Sequence, residues 1–263
     1  MTDALIERTV LIRARRETVF SFFQDAERFA HWWGSGSRIE ATPGGEVRIV
    51  YPNGVVALGE VLELTPPEHV AFTFGYEDPA RPLAPGASRV DVWLEESEEG
   101  TRLKLRHTFD REDVRDMHVP GWRFQLSLFA NVAADLQHAD LAARADAWLA
   151  LFSEEDEGKR RTVLERLTTD SVRFRDRWAS LEGREELASH LAALRAHAPV
   201  ALERAGAVRH CQGTALVDWR SASSDGSGER GTHVLELAPG GRFASVVGLA
   251  AQGATGDQTG SPS

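Results

Sequence analysis

Residues 119–152 read VPGWRFQLSLFANVAADLQHADLAARADAWLALF, and the fold turns on them. Trp122, Leu126, Phe129, Ala133 and Leu136 recur at spacings of three and four, as do Leu141, Ala145, Trp148 and Phe152. Each set lays an apolar stripe along one helix face. The polar residues 137–140 separate the two stripes. Before residue 119 the chain reads mainly as strands; after residue 152 it reads as helices around one strand, and then strands. One helix thus closes a first domain and the next opens a second. The expected division is 1–139 and 140–250, with small polar residues 251–263 forming a disordered tail.

Composition sets the outer bounds. A chain of 263 residues has room for about two domains. Its 42% apolar content fills proper cores, and its 27% charged content suits a soluble surface. A net charge of −10 works against nonspecific nucleic-acid binding and against anionic membrane surfaces. No long apolar run or charged-then-apolar leader stands out, so the expected location is cytoplasmic. The richness in Ala, Arg, Glu and Gly with little Lys suggests a high-GC bacterium. A single cysteine, Cys211, excludes an internal disulfide and multi-cysteine metal sites, and no histidine is spaced to activate it.

In the first half, residues 5–13 alternate as a strand. Residues 16–24 form a short helix, and a second helix carries Phe29, Trp32 and Trp33 and ends at Gly34. Val47, Ile49 and Tyr51 share a strand face, and Asn53-Gly54 marks a hairpin. Val70, Phe72 and Phe74 give the next strand, then Val90, Val92 and Leu94. In the last strand Leu103, Leu105, His107 and Phe109 alternate with Arg102, Lys104 and Arg106. Antiparallel strands with helices on one face make an α+β fold. A sheet wrapped on one long helix often leaves a cavity for an apolar ligand.

The order of these signals resembles a START-like (SRPBCC) domain of the activator-of-heat-shock-ATPase homologue group. The resemblance is carried by VLIRARRETVFSFF, the Trp32-Trp33 pair, PGGEVRI, Gly59-Glu60-Val61 followed by Pro66-Pro67, GTRLKLRHTF, and Gly121-Trp122 at the start of the last helix. It covers roughly residues 5–138 and implies a helix-grip fold with a hydrophobic cavity. Eukaryotic members that stimulate a chaperone ATPase carry a further N-terminal domain. This sequence opens on the helix-grip pattern, so a co-chaperone role is not expected. The ligand-contact candidates are Trp32, Trp33, Phe72, Phe74, Trp122, Leu126 and Phe129, against the alternative of plain core packing. His107 on an inward face needs a hydrogen-bond partner, either a structural one or a ligand.

In the second half, helices at 141–153 and 159–167 precede a strand at 172–178. A helix at 184–196 follows, then strands at 202–210, 214–221, 231–237 and 242–249. This order resembles the cone-shaped α+β barrel of SnoaL-like polyketide cyclases and ketosteroid isomerases. The segments that carry it are AWLALFSEED, TTDSVRFRD, LEGREELASHL and GGRFASVVG, over roughly residues 141–250. Along 172–178, Asp176 falls on the face of Val172, Phe174 and Trp178, opposite Arg173, Arg175 and Arg177. A desolvated carboxylate there suits a general base. The resemblance implies the same role for Asp176, and it aligns Trp148 and His233 with the isomerases' oxyanion-stabilising groups. An oxyanion hole from that pair is one arrangement. The alternative is that Asp176 pairs with Arg184 or bonds local backbone groups. Trp148, Phe174 and Trp178 complete the ligand-contact set.

The expected fold is therefore α+β: an N-terminal helix-grip (START-like) domain followed by a C-terminal cone-shaped (SnoaL-like) barrel. The expected function is binding of a hydrophobic small molecule in one or both cavities. The alternative is an isomerase, cyclase or hydratase using Asp176 and His233. No metal site and no cofactor are implied. Neither nucleic acid nor membrane is an expected partner, and a homodimer through the C-terminal domain is a further expectation.

Overall fold

The computed structural model describes residues 4–197, 200–221 and 228–250. The expected tail at 251–263 and most of the Gly- and Ser-rich loop after residue 221 lie outside the described residues. The chain divides into two compact units, the first ending at Gln137 and the second beginning at His138. Each has its own apolar core.

The first unit is a seven-stranded antiparallel sheet in the order β1-β7-β6-β5-β4-β3-β2. Its strands are β1 (Ala4–Ile12), β2 (Arg38–Ile39), β3 (Glu46–Val50), β4 (Val56–Thr65), β5 (His69–Tyr76), β6 (Ser88–Ser97) and β7 (Gly100–Phe109). Strict alternation in β7 buries Leu103, Leu105, His107 and Phe109 and leaves Arg102, Lys104 and Arg106 outside. Between β1 and β2, α1 (Arg16–Phe20) runs into a turn of 3₁₀-helix (Ser21–Phe23), and α2 (Ala26–Trp33) follows. The Asp25 carboxylate caps α2 by accepting from the Arg28 amide at 3.0 Å. Gly34 ends it at φ 131°, where an added Cβ would sit 2.4 Å from the Val50 carbonyl oxygen.

The long helix α3 (Glu112–Gln137) packs on β1, on β7 and on α2. It starts more than two turns before Gly121, where the sequence placed its beginning. Pro120, which looks like a helix start, lies inside it. The acidic pair Glu112 and Asp113 in its first turn favours the earlier start. Trp122, Leu126, Phe129 and Ala133 face the core as expected, but Leu136 is exposed and Gln125 is buried instead.

The second unit places α4 (Leu141–Ala150), α5 (Glu157–Leu167) and α6 (Arg184–His197) with a mixed sheet ordered β10-β12-β13-β14-β8-β9. These strands are β8 (Thr168–Arg175), β9 (Ser180–Glu182), β10 (Leu202–Arg204), β12 (Thr214–Ser221), β13 (Arg230–Leu237) and β14 (Phe243–Ala250); β11 (Arg209–Cys211) also pairs with β12. Among the described residues, only the β14–β8 pairing of this sheet is parallel. The single strand expected at 202–210 is two short ones, interrupted at Gly206 with φ 111°.

The expected strand at 172–178 stops at Arg175. Asp176 Oδ1 accepts from the amides of Trp178 and Ala179, both at 2.8 Å, and the Asp176 amide donates to the Ala179 carbonyl at 2.9 Å. A short acceptor side chain thus closes the turn into β9 in place of strand pairing. Alternation fails at that point, and Trp178 is 74% exposed beneath the Arg177 guanidinium.

Candidate functional site

The first unit encloses a cavity of about 480 Å³ between α2, the segment after β3, β5 and α3. Trp32, Trp33, Phe74 and Trp122 line it. Phe72, Leu126 and Phe129 do not; they are fully buried in the core beside it. Phe129 meets the Trp32 ring at 4.4 Å and the edges of Phe22 and Phe23, so its surface is used in packing.

Trp32 and Trp33 are neighbours with ring centroids 4.3 Å apart, and Trp33 stands edge-on to Tyr51 and to Trp122. Both indole N–H groups are buried without a hydrogen-bond partner. Gln125 donates its side-chain amide to the Trp32 carbonyl. The mouth carries the exposed apolar side chains of Met117 and Phe124, 64% and 68% exposed. Gly121 lies between them, and an added Cβ there meets nothing within 4 Å.

His107 does not line the cavity; it sits behind the wall in a closed hydrogen-bond chain. Trp122 Nε1 donates to His107 Nδ1 at 2.9 Å. An indole nitrogen only donates, so Nδ1 carries the lone pair and Nε2 the proton. Nε2 donates to Ser88 Oγ at 2.7 Å, and that hydroxyl donates to the Phe74 carbonyl at 2.8 Å. Burial, with His118 nearby, holds the imidazole well below the usual histidine range. His107 therefore positions Trp122, one of the cavity walls.

The polar end of the cavity holds residues that the sequence did not single out as site residues. His118 Nδ1 bonds the Val114 carbonyl at 2.7 Å, and its Nε2 meets the Tyr76 hydroxyl at 3.0 Å. Burial lowers the His118 pKa and raises those of Tyr76 and Tyr51. Arg81 lies over the Tyr76 ring at 4.8 Å. Tyr51 was legible from its alternation with Val47 and Ile49. His118 was hidden by the late helix start, since it lies one turn ahead of Trp122 on the same face.

In the second unit Trp148 is fully buried, and its Nε1 donates to His233 Nδ1 at 3.0 Å. That is the only donor on the indole, so the expected oxyanion hole from this pair has no free tryptophan N–H. Burial pushes the His233 pKa down to about 4, opposed in part by the negative charge of Asp176. Asp176 and His233 flank Gly248, where an added Cβ would lie 3.1 Å from Asp176 Cβ and 3.6 Å from His233 Nε2. Arg184 does not pair with Asp176; it bonds Asp170 at 2.6 Å and the Thr168 carbonyl at 2.9 Å. Phe174 is core, 6.2 Å from the Trp148 ring. A cleft of about 370 Å³ in this unit is lined by Phe174 with Arg173, Arg175 and Glu182 among others, and not by Trp148, Trp178, Asp176 or His233.

Among the described residues, no three His, Cys, Asp or Glu side chains come together as a metal site. No helix among them is long and apolar enough to cross a membrane.

No curated protein matches the chain. A candidate isomerase of the SnoaL-like family from Agrobacterium tumefaciens is 29% identical over 44% of this chain and 98% of its own, with a TM-score of 0.40. The AHSA1-like protein of Rhizobium etli is 28% identical over 51% of this chain and 83% of its own, with a TM-score of 0.42. Residues 13–134 match the family model of activator of Hsp90 ATPase homolog 1-like protein, and this match supports the START-like resemblance of the first unit.

Proposed function

We propose that the first unit binds a hydrophobic small molecule in the cavity between α2, β5 and α3. The carrying observation is the cavity itself: about 480 Å³, walled by Trp32, Trp33, Phe74 and Trp122, with polar side chains at Tyr51, Tyr76, His118, His31 and Gln125. That combination of size, aromatic lining and a minority of polar groups is typical of small-molecule sites. The test is titration with the neutral fluorophore N-phenylnaphthylamine, comparing wild type with Gly121→Leu. The substitution grows a side chain into the open mouth. Wild type binds with enhanced fluorescence and the variant does not, while the thermal midpoint of the unliganded variant stays near that of wild type. Equal binding by a folded variant refutes this location.

The second unit is taken as the cone-shaped SnoaL-like barrel, over residues 140–250, supported by three helices ahead of or between the strands of a mixed sheet. A second reading gives it isomerase, cyclase or hydratase activity, with Asp176 as general base. One observation favours it: the His233 ring edge and the Asp176 side chain both lie beside Gly248, and the Asp176 charge acts on the imidazole. Solvent deuterium exchange at the acidic carbon of a Δ5-3-ketosteroid tests it. Exchange by wild type that is lost in Asp176→Asn supports the base; equal exchange removes it. The expected homodimer through this unit is read by light scattering as twice the chain mass.

A further inference from the structure

Resting on the apolar-cavity reading above, we infer that Tyr76 selects a ligand bearing a hydroxyl or N–H donor, because its own proton is already committed inside the protein. The commitment follows from donor and acceptor identities alone. The Val114 carbonyl can only accept, so the proton of neutral His118 sits on Nδ1, 2.7 Å from that oxygen. A neutral imidazole has one N–H, so Nε2 is an acceptor. The Tyr76 hydroxyl, 3.0 Å away, donates to it. What Tyr76 then offers a guest in the cavity is oxygen lone pairs only.

The surroundings keep His118 neutral. The rings of Phe74, Phe109 and Tyr76 pack around it, and His107 lies 5.7 Å away with both nitrogens engaged. Arg81 lies above the Tyr76 ring, a cation that opposes a second positive charge. A guest acceptor placed at Tyr76 would face lone pair against lone pair, and a guest donor would complete the chain to Val114. Mismatched buried polar groups discriminate more strongly than missing apolar contacts.

The experiment is calorimetric binding of β-naphthol, its methyl ether and naphthalene to the full chain. The wild-type protein should prefer β-naphthol to the ether by roughly tenfold, one neutral hydrogen bond. Tyr76→Phe removes the acceptor and brings that ratio close to one. His118→Phe keeps a ring in place but frees the Tyr76 proton, so the ether tightens and the ratio again collapses. A purely structural role for His118 would shift all three ligands together. A ratio near one in wild type, or a ratio unchanged in both variants, overturns the inference and leaves the cavity as an unselective apolar site. Failure of all three compounds to bind overturns the cavity reading and this inference with it.

Discussion

His107 in the first unit and His233 in the second begin with the same bond. Each accepts an indole N–H on Nδ1, from Trp122 at 2.9 Å and from Trp148 at 3.0 Å, and each is therefore a neutral imidazole with its proton on Nε2. They differ at the other nitrogen. His107 hands its proton to Ser88, which hands its own to a carbonyl, and the chain ends satisfied. His233 instead turns its far edge toward Gly248 and the negative charge of Asp176. The tryptophans differ too: Trp122 walls a cavity, and Trp148 is sealed in the core. One motif thus serves to hold a binding wall upright, and the other leaves an imidazole edge beside a carboxylate. The lesson is that the second hydrogen bond, rather than the shared first one, separates a positioning histidine from a candidate reactive one.

The largest effect that sharpens this comparison is at the tryptophans. Trp148→Ala empties a sealed core and should cost about 3–5 kcal/mol. Trp122→Ala borders space that already exists and should cost distinctly less. Urea unfolding of the two variants reads the difference; equal costs would mean that Trp122 is as much a core residue as Trp148.

Next comes acid. His233 has a folded-state pKa of about 4 against an ordinary 6.5, so between those values the unfolded chain holds a proton that the folded unit does not. Its stabilisation is complete above about pH 6.5 and falls as the pH drops through that window, by on the order of 3 kcal/mol in all. Urea midpoints of wild type and His233→Gln, compared from neutral pH to about pH 4, should converge as the pH falls. Parallel curves would show that the His233 pKa is not lowered on folding.

A smaller loss is expected at Ser88→Ala, which strands the His107 Nε2–H in the core at about 1–3 kcal/mol. Ser88→Thr keeps the hydroxyl and should recover part of it. If Ser88→Ala is neutral in unfolding experiments, the chain through His107 is not closed, and the contrast with His233 weakens. The smallest effect has the opposite sign. Gly121 sits inside α3 with open space around its missing side chain, so Gly121→Ala should raise stability by roughly 0.5–1 kcal/mol. A lowered thermal midpoint would mean the cavity mouth is tighter than drawn.

Much of the fold was legible because alternation and helical spacing are local. The face of β7 with His107, the Trp32-Trp33 helix ending at Gly34, and the core faces of Trp122, Leu126 and Phe129 all follow from periods of two and 3.6 residues. Two misreadings have physical causes. Pro120 resembles a first-turn residue, yet α3 continues through it from Glu112, and that hid His118. Asp176 resembles a strand residue, yet its carboxylate captures two backbone amides and ends β8, and that turned Trp178 outward.

By itself the sequence determined most of the two sets of elements, the core faces of β7 and of the helices bearing Trp32, Trp33, Trp122 and Phe129, and the burial of His107 and His233. Those properties depend on neighbours within a few positions, where backbone geometry fixes direction. Only the tertiary structure decided that Phe72 and Phe129 fill the core while Trp33 and Phe74 line open space. It alone brought Tyr76 to His118 and Trp148 to His233. Burial is a property of a face, but a cavity and a proton's place in a hydrogen-bond chain depend on side chains from distant segments meeting at ångström range.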